Sequence, residues 1–346
     1  MKTLNKTLFL IAFICFNFSY SQIVWEKING PLAPATPFSF LVTSSGTQFI
    51  GTDNEGLFRS TDEGQSWELK TNGINSLYIT ALAEAPNGWI YAGTHYGGVS
   101  GVVGCLFRSQ DNGESWQLMI NNDPEVRVIK INSVGHIFIG TNHGFYKSTN
   151  NGAIWSLYNN GLLSPGIFAM EVVTDSTIYV ATDQGIHVTI DEGYNWIPKN
   201  QGLPHSGNYI PTYSIFCRHD TLYTTSQNKL FFSTNFGDLW IQRAEIPVDG
   251  FLIDSNNVFY IRQEIQKNLL RSVDYGNSWD TLFTFPDWFT YFTVVNNKIF
   301  AGIYSEGLLR ELYCQNNYKN NQNYVDYYNQ GHYPVRFKPA SDFAEE

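Results

Sequence analysis

Short apolar runs separated by polar turns recur along most of the chain. Each run is four to six residues long and ends in small residues, as at 89–94, 136–141 and 178–182. Turn residues such as Asn and Gly stand before the runs, and a second short apolar run follows several of them. Runs of this length between turn residues are typical of β-strands paired in hairpins. The pattern therefore predicts an all-β chain built from a repeated unit.

A polar motif of eight residues follows the second run in six of the units. Its pattern is Ser/Thr-x-Asp/Asn-x-Gly-x-x-Trp, and each copy is called a box below. The Asp or Asn accepts amide hydrogen bonds in a tight turn, the Gly permits a positive φ, and the Trp buries a large ring. Because six copies spread around a ring cannot converge on one site, we expect a structural role rather than catalysis or calcium binding. The Asp/Asn positions are Asp62, Asp111, Asn150, Asp191, Asn235 and Asp274.

The spacing and number of the units predict a closed ring. From Trp25 to Trp279 the mean step is (279 − 25)/6, about 42 residues, which is the length of a four-stranded propeller blade. Seven units are present but only six boxes, and the seventh unit ends at residue 310 without one. A strand at residues 23–27 can supply the missing outer strand, which removes exposed sheet edges. The sequence therefore predicts a seven-bladed β-propeller of four-stranded blades over residues 22–310, closed by the N-terminal strand, which completes the last blade.

The two ends of the chain differ from the repeats. A short basic start, an apolar stretch at residues 8–18 and small residues before Gln22 predict a signal peptide at residues 1–21. We therefore expect a secreted, periplasmic or cell-surface protein without membrane insertion, because no other long apolar run is present. Residues 311–346 form a polar tail rich in Asn and Tyr.

The net charge bears on the partners of the protein, and the number of cysteines bears on its disulfides. The formal net charge of −10 disfavours nucleic acid as a partner. An odd number of cysteines remains after the signal peptide, so a fully paired disulfide framework is excluded and buried thiols are expected at Cys105, Cys217 and Cys314. We expect a monomer that binds a glycan or protein ligand and needs no cofactor.

A ligand site is expected on the face opposite the boxes. Loops that join second to third strands, and loops that join blades, emerge there around the central channel, where closed β architectures tend to bind ligands. Aromatic rings beside Asp, Asn and His are typical of a sugar site, although exposed loops carry such residues in any case. The catalytic candidates are His95, Tyr96, His143, Tyr209, Asp53, Glu55, Asp183 and Glu306, and the ligand-binding candidates are His205, Asp287, Trp288 and Tyr304.

These candidates leave the chemistry open. Two of the carboxylates would suit a glycoside hydrolase, whereas a His or Tyr base would suit a polysaccharide lyase. The loop at residues 97–104 is long and glycine-rich and could act as a lid. A metal site formed by His95, His143 and His205 is less favoured than no metal, since no short-range ligand spacing supports it.

The box resembles the Asp-box, also called the BNR repeat, of sialidases, xyloglucanase-type tandem-propeller hydrolases, the sortilin ectodomain and the photosystem II assembly factor family. The resemblance covers nearly the whole chain after the signal peptide and implies a β-propeller fold. The chain lacks the Arg-Ile-Pro motif of sialidases and has one propeller rather than two. The resemblance specifies the fold rather than the function, and we expect a secreted non-catalytic binding or assembly propeller that recognises a protein or glycan on its top face, opposite the boxes. The alternative is a glycan-active enzyme, a glycoside hydrolase or polysaccharide lyase, that uses the same face.

Overall fold

The computed structural model describes residues 24–27, 36–95, 104–120, 125–207, 209–287, 289–295, 298–303 and 307–312. The predicted signal peptide, nearly all of the 97–104 loop and the polar tail after residue 312 lie outside these residues. Within them, twenty-eight strands form seven antiparallel sheets of four strands each. No helix in this part of the chain has the length and apolarity needed to cross a membrane.

The strands are short and follow one another with few residues between them. In chain order they are β1 (Val24–Lys27), β2 (Thr36–Val42), β3 (Gln48–Asp53), β4 (Leu57–Ser60), β5 (Glu68–Leu69), β6 (Ile79–Glu84), β7 (Ile90–Thr94), β8 (Leu106–Ser109), β9 (Gln117–Ile120), β10 (Val126–Ile131), β11 (Ile137–Thr141), β12 (Phe145–Ser148), β13 (Ser156–Leu157), β14 (Ile167–Val172), β15 (Ile178–Thr182), β16 (Gly185–Thr189), β17 (Ile197–Pro198), β18 (Thr212–Arg218), β19 (Thr221–Ser226), β20 (Lys229–Ser233), β21 (Ile241–Ala244), β22 (Gly250–Ile253), β23 (Phe259–Gln263), β24 (Asn268–Ser272), β25 (Asp280–Thr284), β26 (Phe289–Val295), β27 (Lys298–Ile303) and β28 (Gly307–Leu312).

The seven sheets are the blades of a ring. Blades 1 to 6 take their four strands consecutively from β2 to β25, and blade 7 consists of β26, β27, β28 and β1. The first strands β2, β6, β10, β14, β18 and β22 contact one another in turn, and β26 contacts β2. The first strands therefore surround the centre of the ring. The predicted seven-bladed β-propeller of four-stranded blades is confirmed.

The two ends of the chain close the ring inside blade 7. Strand β1 pairs with β28 in antiparallel register, from Val24 opposite Leu312 to Lys27 opposite Leu309. The Trp25 side chain is 1% exposed, and its ring centroid lies 5.1 Å from that of Phe285, which follows the outer strand of blade 6. The N-terminal strand thus completes the last blade, as the position of Trp25 predicts.

All six boxes form the same hydrogen-bonded turn between the third and fourth strands. In the first box the Gly64 amide donates to Ser60 Oγ at 2.8 Å, and the Ser66 amide donates to Asp62 Oδ1 at 2.9 Å. The residue after the Asp or Asn has a positive φ in every box, for example 58° at Glu63. The Ser/Thr and Asp/Asn side chains that define a box are therefore hydrogen-bonded within their own turn.

The hydrophobic core consists of layers between neighbouring blades. Each box Trp belongs to such a layer, as when Trp116 of blade 2 packs with Phe49 and Leu57 of blade 1. In the same way Trp240 of blade 5 packs with Tyr179 of blade 4. Burial of these large rings between adjacent sheets stabilises each blade through its neighbour.

The two described cysteines after the signal peptide are not joined by a disulfide. Cys105 is buried in the layer between blades 1 and 2, and Cys217 is half-buried in β18. Burial raises the pKa of the Cys217 thiol, which favours its neutral form. Cys314 lies outside the described residues.

Candidate functional site

The propeller has two chemically different faces. The boxes share one face with the hairpins between first and second strands, where Asn112 Nδ2 donates to Thr47 Oγ1 at 3.2 Å. The opposite face, called the loop face, carries the loops between second and third strands and the connections between blades. These two kinds of loop contact each other there, since the His95 amide donates to the Tyr78 carbonyl at 3.1 Å. The loop face is the face on which the sequence places the candidate site.

A threonine at the end of the second strand holds several of these loops in place. The hydroxyls of Thr52, Thr141 and Thr182 donate to the carbonyls of Gly56, Gly144 and Gly185 at 2.8, 2.9 and 2.8 Å. Each bond closes a turn of three or four residues. The loops that carry Asp53, His143 and Asp183 are therefore short and fixed.

A β-bulge interrupts the first strand near its start in six of the seven blades. The first strands run from the loop face towards the box face, so these bulges lie beside the mouth of the channel on the loop face. An extra residue in one strand locally breaks the ladder and redirects the chain. The residues at the bulge positions are Phe38, Thr80, Arg127, Phe168, Tyr213 and Thr290.

Three of these bulge residues contact one another across three successive blades. The guanidinium carbon of Arg127 lies 4.8 Å from the ring centroid of Phe168. The Phe168 ring in turn meets the Tyr213 ring edge-to-face, with centroids 5.2 Å apart and planes inclined at 60°. The Tyr213 side chain is 54% exposed and its hydroxyl has no hydrogen-bond partner among the described residues.

An ion pair extends this row towards blade 2. Arg127 Nε and Nη2 donate to Glu125 Oε1 and Oε2 at 3.0 and 3.1 Å, which is a bidentate fork. His95 Nε2 lies 3.1 Å from Glu125 Oε1, and the Glu125 amide donates to Asn142 Oδ1 at 3.0 Å. We call Glu125, Arg127, Phe168 and Tyr213 the belt; it is continuous from blade 3 to blade 5, and His95 of blade 2 contacts its end.

None of the four belt residues is among the candidates predicted from the sequence. Among the contacts of the belt only His95 is a candidate, because the candidates are loop residues whereas Arg127, Phe168 and Tyr213 lie on first strands. Glu125 lies in the connection just before β10 and is not a candidate either. A signal was present, since Phe38, Phe168 and Tyr213 are aromatic residues at the same position of three repeats. Side chains of a regular strand point alternately to its two faces, and a sequence pattern is normally interpreted on that assumption. The bulge adds one residue and shifts the alternation, so the shared position of these three residues is easily missed.

The other candidates are distributed around the loop face. The Ile210 amide donates to the Asp183 carbonyl at 3.0 Å, so the loop of Asp183 adjoins the segment of Tyr209, whose side chain is 57% exposed. Asp53 and Asp287 are half-buried, and Glu55, His143 and His205 are exposed. Outside the described residues lie Tyr96, Trp288, Tyr304 and Glu306.

No group of three metal-ligating side chains stands together in the described part of the chain. His95, His143 and His205 therefore do not form such a group. His95 is directed instead to Glu125, as its 3.1 Å contact shows.

Comparison with known proteins shows the fold. No protein-family model matches the chain, and no curated protein matches it. Among solved structures, it is similar to the extracellular domain of BT4673 from B. thetaiotaomicron (TM-score 0.70, 16% identity, 86% of this chain and 40% of that one). It is also similar to YCF48 bound to D1 peptide (TM-score 0.66, 16% identity, 86% and 96%). A third is the GH74 xyloglucanase from Xanthomonas campestris (TM-score 0.63, 17% identity, 83% and 53%). This chain thus spans less than half of the BT4673 domain and about half of the xyloglucanase.

Proposed function

We propose that this protein is an exported, non-catalytic propeller that binds a protein or a glycan on its loop face. The observation that carries the proposal is the belt. The exposed ring of Tyr213, the half-buried ring of Phe168 and the partly exposed guanidinium of Arg127 lie side by side at the mouth of the channel, where a ligand can reach them. The Ser/Thr and Asp/Asn side chains of the boxes on the other face are hydrogen-bonded within their own turns, and we regard the boxes as Asp-box repeats with a structural role.

The comparisons are compatible with this proposal. One similar structure is an extracellular domain, and another is YCF48 bound to a peptide. The predicted signal peptide suits a protein that acts outside the cytoplasm, and the net charge of −10 disfavours nucleic acid as its partner. No ligand follows from these likenesses, because identities of 16% indicate only a shared fold.

A binding survey with a belt variant tests the proposal. The full exported chain is applied to a glycan array and to a peptide array, beside the double variant Arg127→Lys/Tyr213→Ala. We expect the wild-type protein to bind at least one class of ligand, and the double variant to lose that binding while keeping the wild-type circular dichroism spectrum. Binding that the double variant retains would contradict a site at the belt, and an absence of binding on both arrays would contradict the function.

A glycan-active enzyme is the second candidate function. His95 and Glu125 form an imidazole–carboxylate pair at 3.1 Å, the arrangement that orients a histidine for general acid–base catalysis. One of the similar structures is a xyloglucanase. To test for enzyme activity, the protein is incubated with acidic and neutral polysaccharides. New reducing ends would indicate hydrolysis, and unsaturated uronates would indicate a lyase reaction. Product that disappears in His95→Ala would establish the enzyme, and no product from folded protein would reject it.

A further inference from the structure

We propose that the belt is a binding site for an uncharged glycan, with pyranose rings seated on Tyr213 and Phe168 and hydroxyl groups bonded to Arg127 and Glu125. This inference rests on the proposed binding function and names the ligand class at that site.

The hydrogen-bonding groups of the belt are held in place but not exhausted. A guanidinium has five N–H groups, and the fork to Glu125 uses one on Nε and one on Nη2. The Nη1 group has no hydrogen-bond partner among the described residues, and the Arg127 side chain is 25% exposed. Glu125 Oε2 accepts only from Arg127 among these residues, so one of its lone pairs remains. A donor and an acceptor therefore stand next to each other, which matches a pair of neighbouring sugar hydroxyls.

The aromatic part of the belt offers an apolar surface beside these polar groups. Tyr213 is more than half exposed and is fixed by its edge-to-face contact with Phe168. A ring that is already held in place loses little conformational freedom when a ligand packs on it. The apolar C–H face of a pyranose fits such a ring, while its hydroxyls point sideways to polar side chains. The tyrosine hydroxyl, which lacks a partner in the described residues, adds a donor and an acceptor at the far end of the belt.

The charge of the belt favours an uncharged ligand. The guanidinium of Arg127 is paired through its Nε and Nη2 groups to the Glu125 carboxylate, so the two charges cancel locally. An anionic ligand would have to compete with Glu125 for this guanidinium, within a protein whose net charge is −10. A uronate-rich or sulfated glycan is therefore expected to bind more weakly than a neutral one.

The backbone around the channel argues against a peptide added as a further strand. An extended peptide needs a regular strand edge whose amide and carbonyl groups are free in alternation. Here six of the seven first strands carry a bulge near their start, and bulges twist an edge out of the geometry that strand addition requires. Side-chain recognition of a rigid, hydroxyl-rich ligand remains the better fit.

Calorimetric titration of the full exported chain tests the assignment. The probes are hexasaccharides of glucose and of mannose, a hexasaccharide of galacturonic acid as the charged counterpart, and any peptide bound on the array. We expect at least one neutral probe to bind more tightly than the uronate. Tyr213→Ala should weaken that binding about tenfold, a typical effect of losing one stacked ring. Tyr194→Ala, which removes a ring of the same exposure (54% for both residues) on the box face, should leave the affinity unchanged.

Arg127→Lys separates hydrogen bonding from charge, because it keeps the positive charge and the long stem but loses the planar fork. We expect it to weaken neutral-glycan binding several-fold without shifting the melting temperature by more than a few degrees. Unchanged affinity in Tyr213→Ala and Arg127→Lys, or tighter binding of the uronate, would overturn the inference. No affinity for either neutral probe would overturn it as well. If a peptide then binds through the belt, the proposed binding function survives and only the glycan assignment falls; if nothing binds, both fall.

Discussion

Whether a box carries Asp or Asn correlates with the type of the residue immediately before its tryptophan. In the four boxes with Asp, that residue is Ser66, Ser115, Asn195 or Ser278, and its side chain donates to the second carboxylate oxygen. In the two boxes with Asn, that residue is apolar, Ile154 or Leu239, and only its amide donates to the Asn oxygen. A carboxylate has two oxygens to satisfy, whereas an Asn side chain has one acceptor oxygen. The boxes therefore form the same turn with two combinations of residues: Asp with a polar side chain before the tryptophan, or Asn with an apolar one.

A double-mutant cycle on the second box tests this matching. Ser115→Ala should lower the free energy of unfolding by at most about 1 kcal/mol, because the hydrogen bond that it removes from the Asp111 carboxylate is exposed to solvent. In an Asp111→Asn background the same change should cost much less. Urea unfolding of the four proteins measures the coupling. Equal effects of Ser115→Ala in both backgrounds would show that the hydroxyl and the carboxylate act independently.

The same cycle has a pH signature. The side-chain hydrogen bond from Ser115, aided by backbone amides, lowers the pKa of Asp111 from 3.8 to about 2. A carboxyl whose folded-state pKa lies below its unfolded value stabilises the fold above pH ~4, and this contribution disappears as the pH falls through about 2. An NMR titration of Ser115→Ala should therefore show a higher pKa for Asp111.

The role of a residue could be inferred from the sequence where the same residue type recurs at the same position of several repeats. Six copies of one motif identify Asp62 and its equivalents as turn residues without any structure. The belt could not be inferred in this way, because its contacts join residues about 40 positions apart, such as Arg127, Phe168 and Tyr213. In each of these three blades the bulge determines which of two adjacent side chains faces the belt residue of the neighbouring blade.

At the scale of elements, the box tryptophans fall into two groups. The indole N–H of Trp67, Trp155 and Trp279 donates to the Gly carbonyl of the same box, at 3.2, 2.9 and 3.2 Å. The indole N–H groups of Trp116, Trp196 and Trp240 donate instead to carbonyls of the preceding blade, at 3.0, 2.9 and 2.7 Å. The second group therefore joins two blades by hydrogen bonds as well as by packing.

A short segment after the outer strand accompanies the second group. After blade 4 the Trp240 amide donates to the Gln201 carbonyl at 2.8 Å, and a Cβ on Gly202 would lie 2.2 Å from the Trp240 carbonyl oxygen. Asn200 in the same segment fixes the loop of its own blade, since its Nδ2 donates to the Gln184 carbonyl at 3.0 Å. Equivalent segments end at Gly73 and Gly161, before Trp116 and Trp196. Only these segments bind a tryptophan of the next blade in this way among the described residues.

Conservative substitutions should distinguish the two groups. Trp240→Phe leaves the Lys199 carbonyl without its indole donor in a layer where the tryptophan is 2% exposed. Trp279→Phe removes a bond within one turn at a half-buried site. We expect Trp240→Phe to lower the free energy of unfolding by about 1 kcal/mol more than Trp279→Phe, with Trp196→Phe resembling Trp240→Phe. The reverse order in chemical denaturation would contradict the distinction.

Strand positions and pairing order were predictable because each blade repeats the same succession of apolar runs and turns. The two groups of tryptophan were not, although the recurring sequences 70–74, 158–162 and 199–203 each contain a Gly at the same place. The role of this Gly is its contact with the tryptophan of the next blade. A local sequence pattern does not show which residues of another blade lie nearby.

At the scale of the whole molecule, the pairing of β1 with β28 turns seven sheets into a closed ring. Arg310 beside this seam donates from Nη1 to the Glu63 carbonyl of blade 1 at 2.8 Å. Comparable bonds run from Arg59 to Asn112 and from Arg108 to Asn151. The seam is thus built like the other blade junctions, which is why closure could be predicted by counting units and boxes.

Opening the seam should be costly. Trp25→Ala removes a fully buried ring, and we expect a loss of about 3–5 kcal/mol in the free energy of unfolding. Deletion of residues 22–28 should lower the melting temperature further, because blade 7 loses its outer strand. Leu69→Ala on an exposed outer strand serves as the control and should change little. An unchanged melting temperature after the deletion would contradict closure by β1.

Hydrogen–deuterium exchange with and without the tightest-binding ligand of the arrays tests the central claim, that the loop face binds through the belt. The account predicts new protection at residues 125–128, 166–169 and 212–214, with the six box turns unchanged. Protection confined to the boxes or to the outer strands would contradict it.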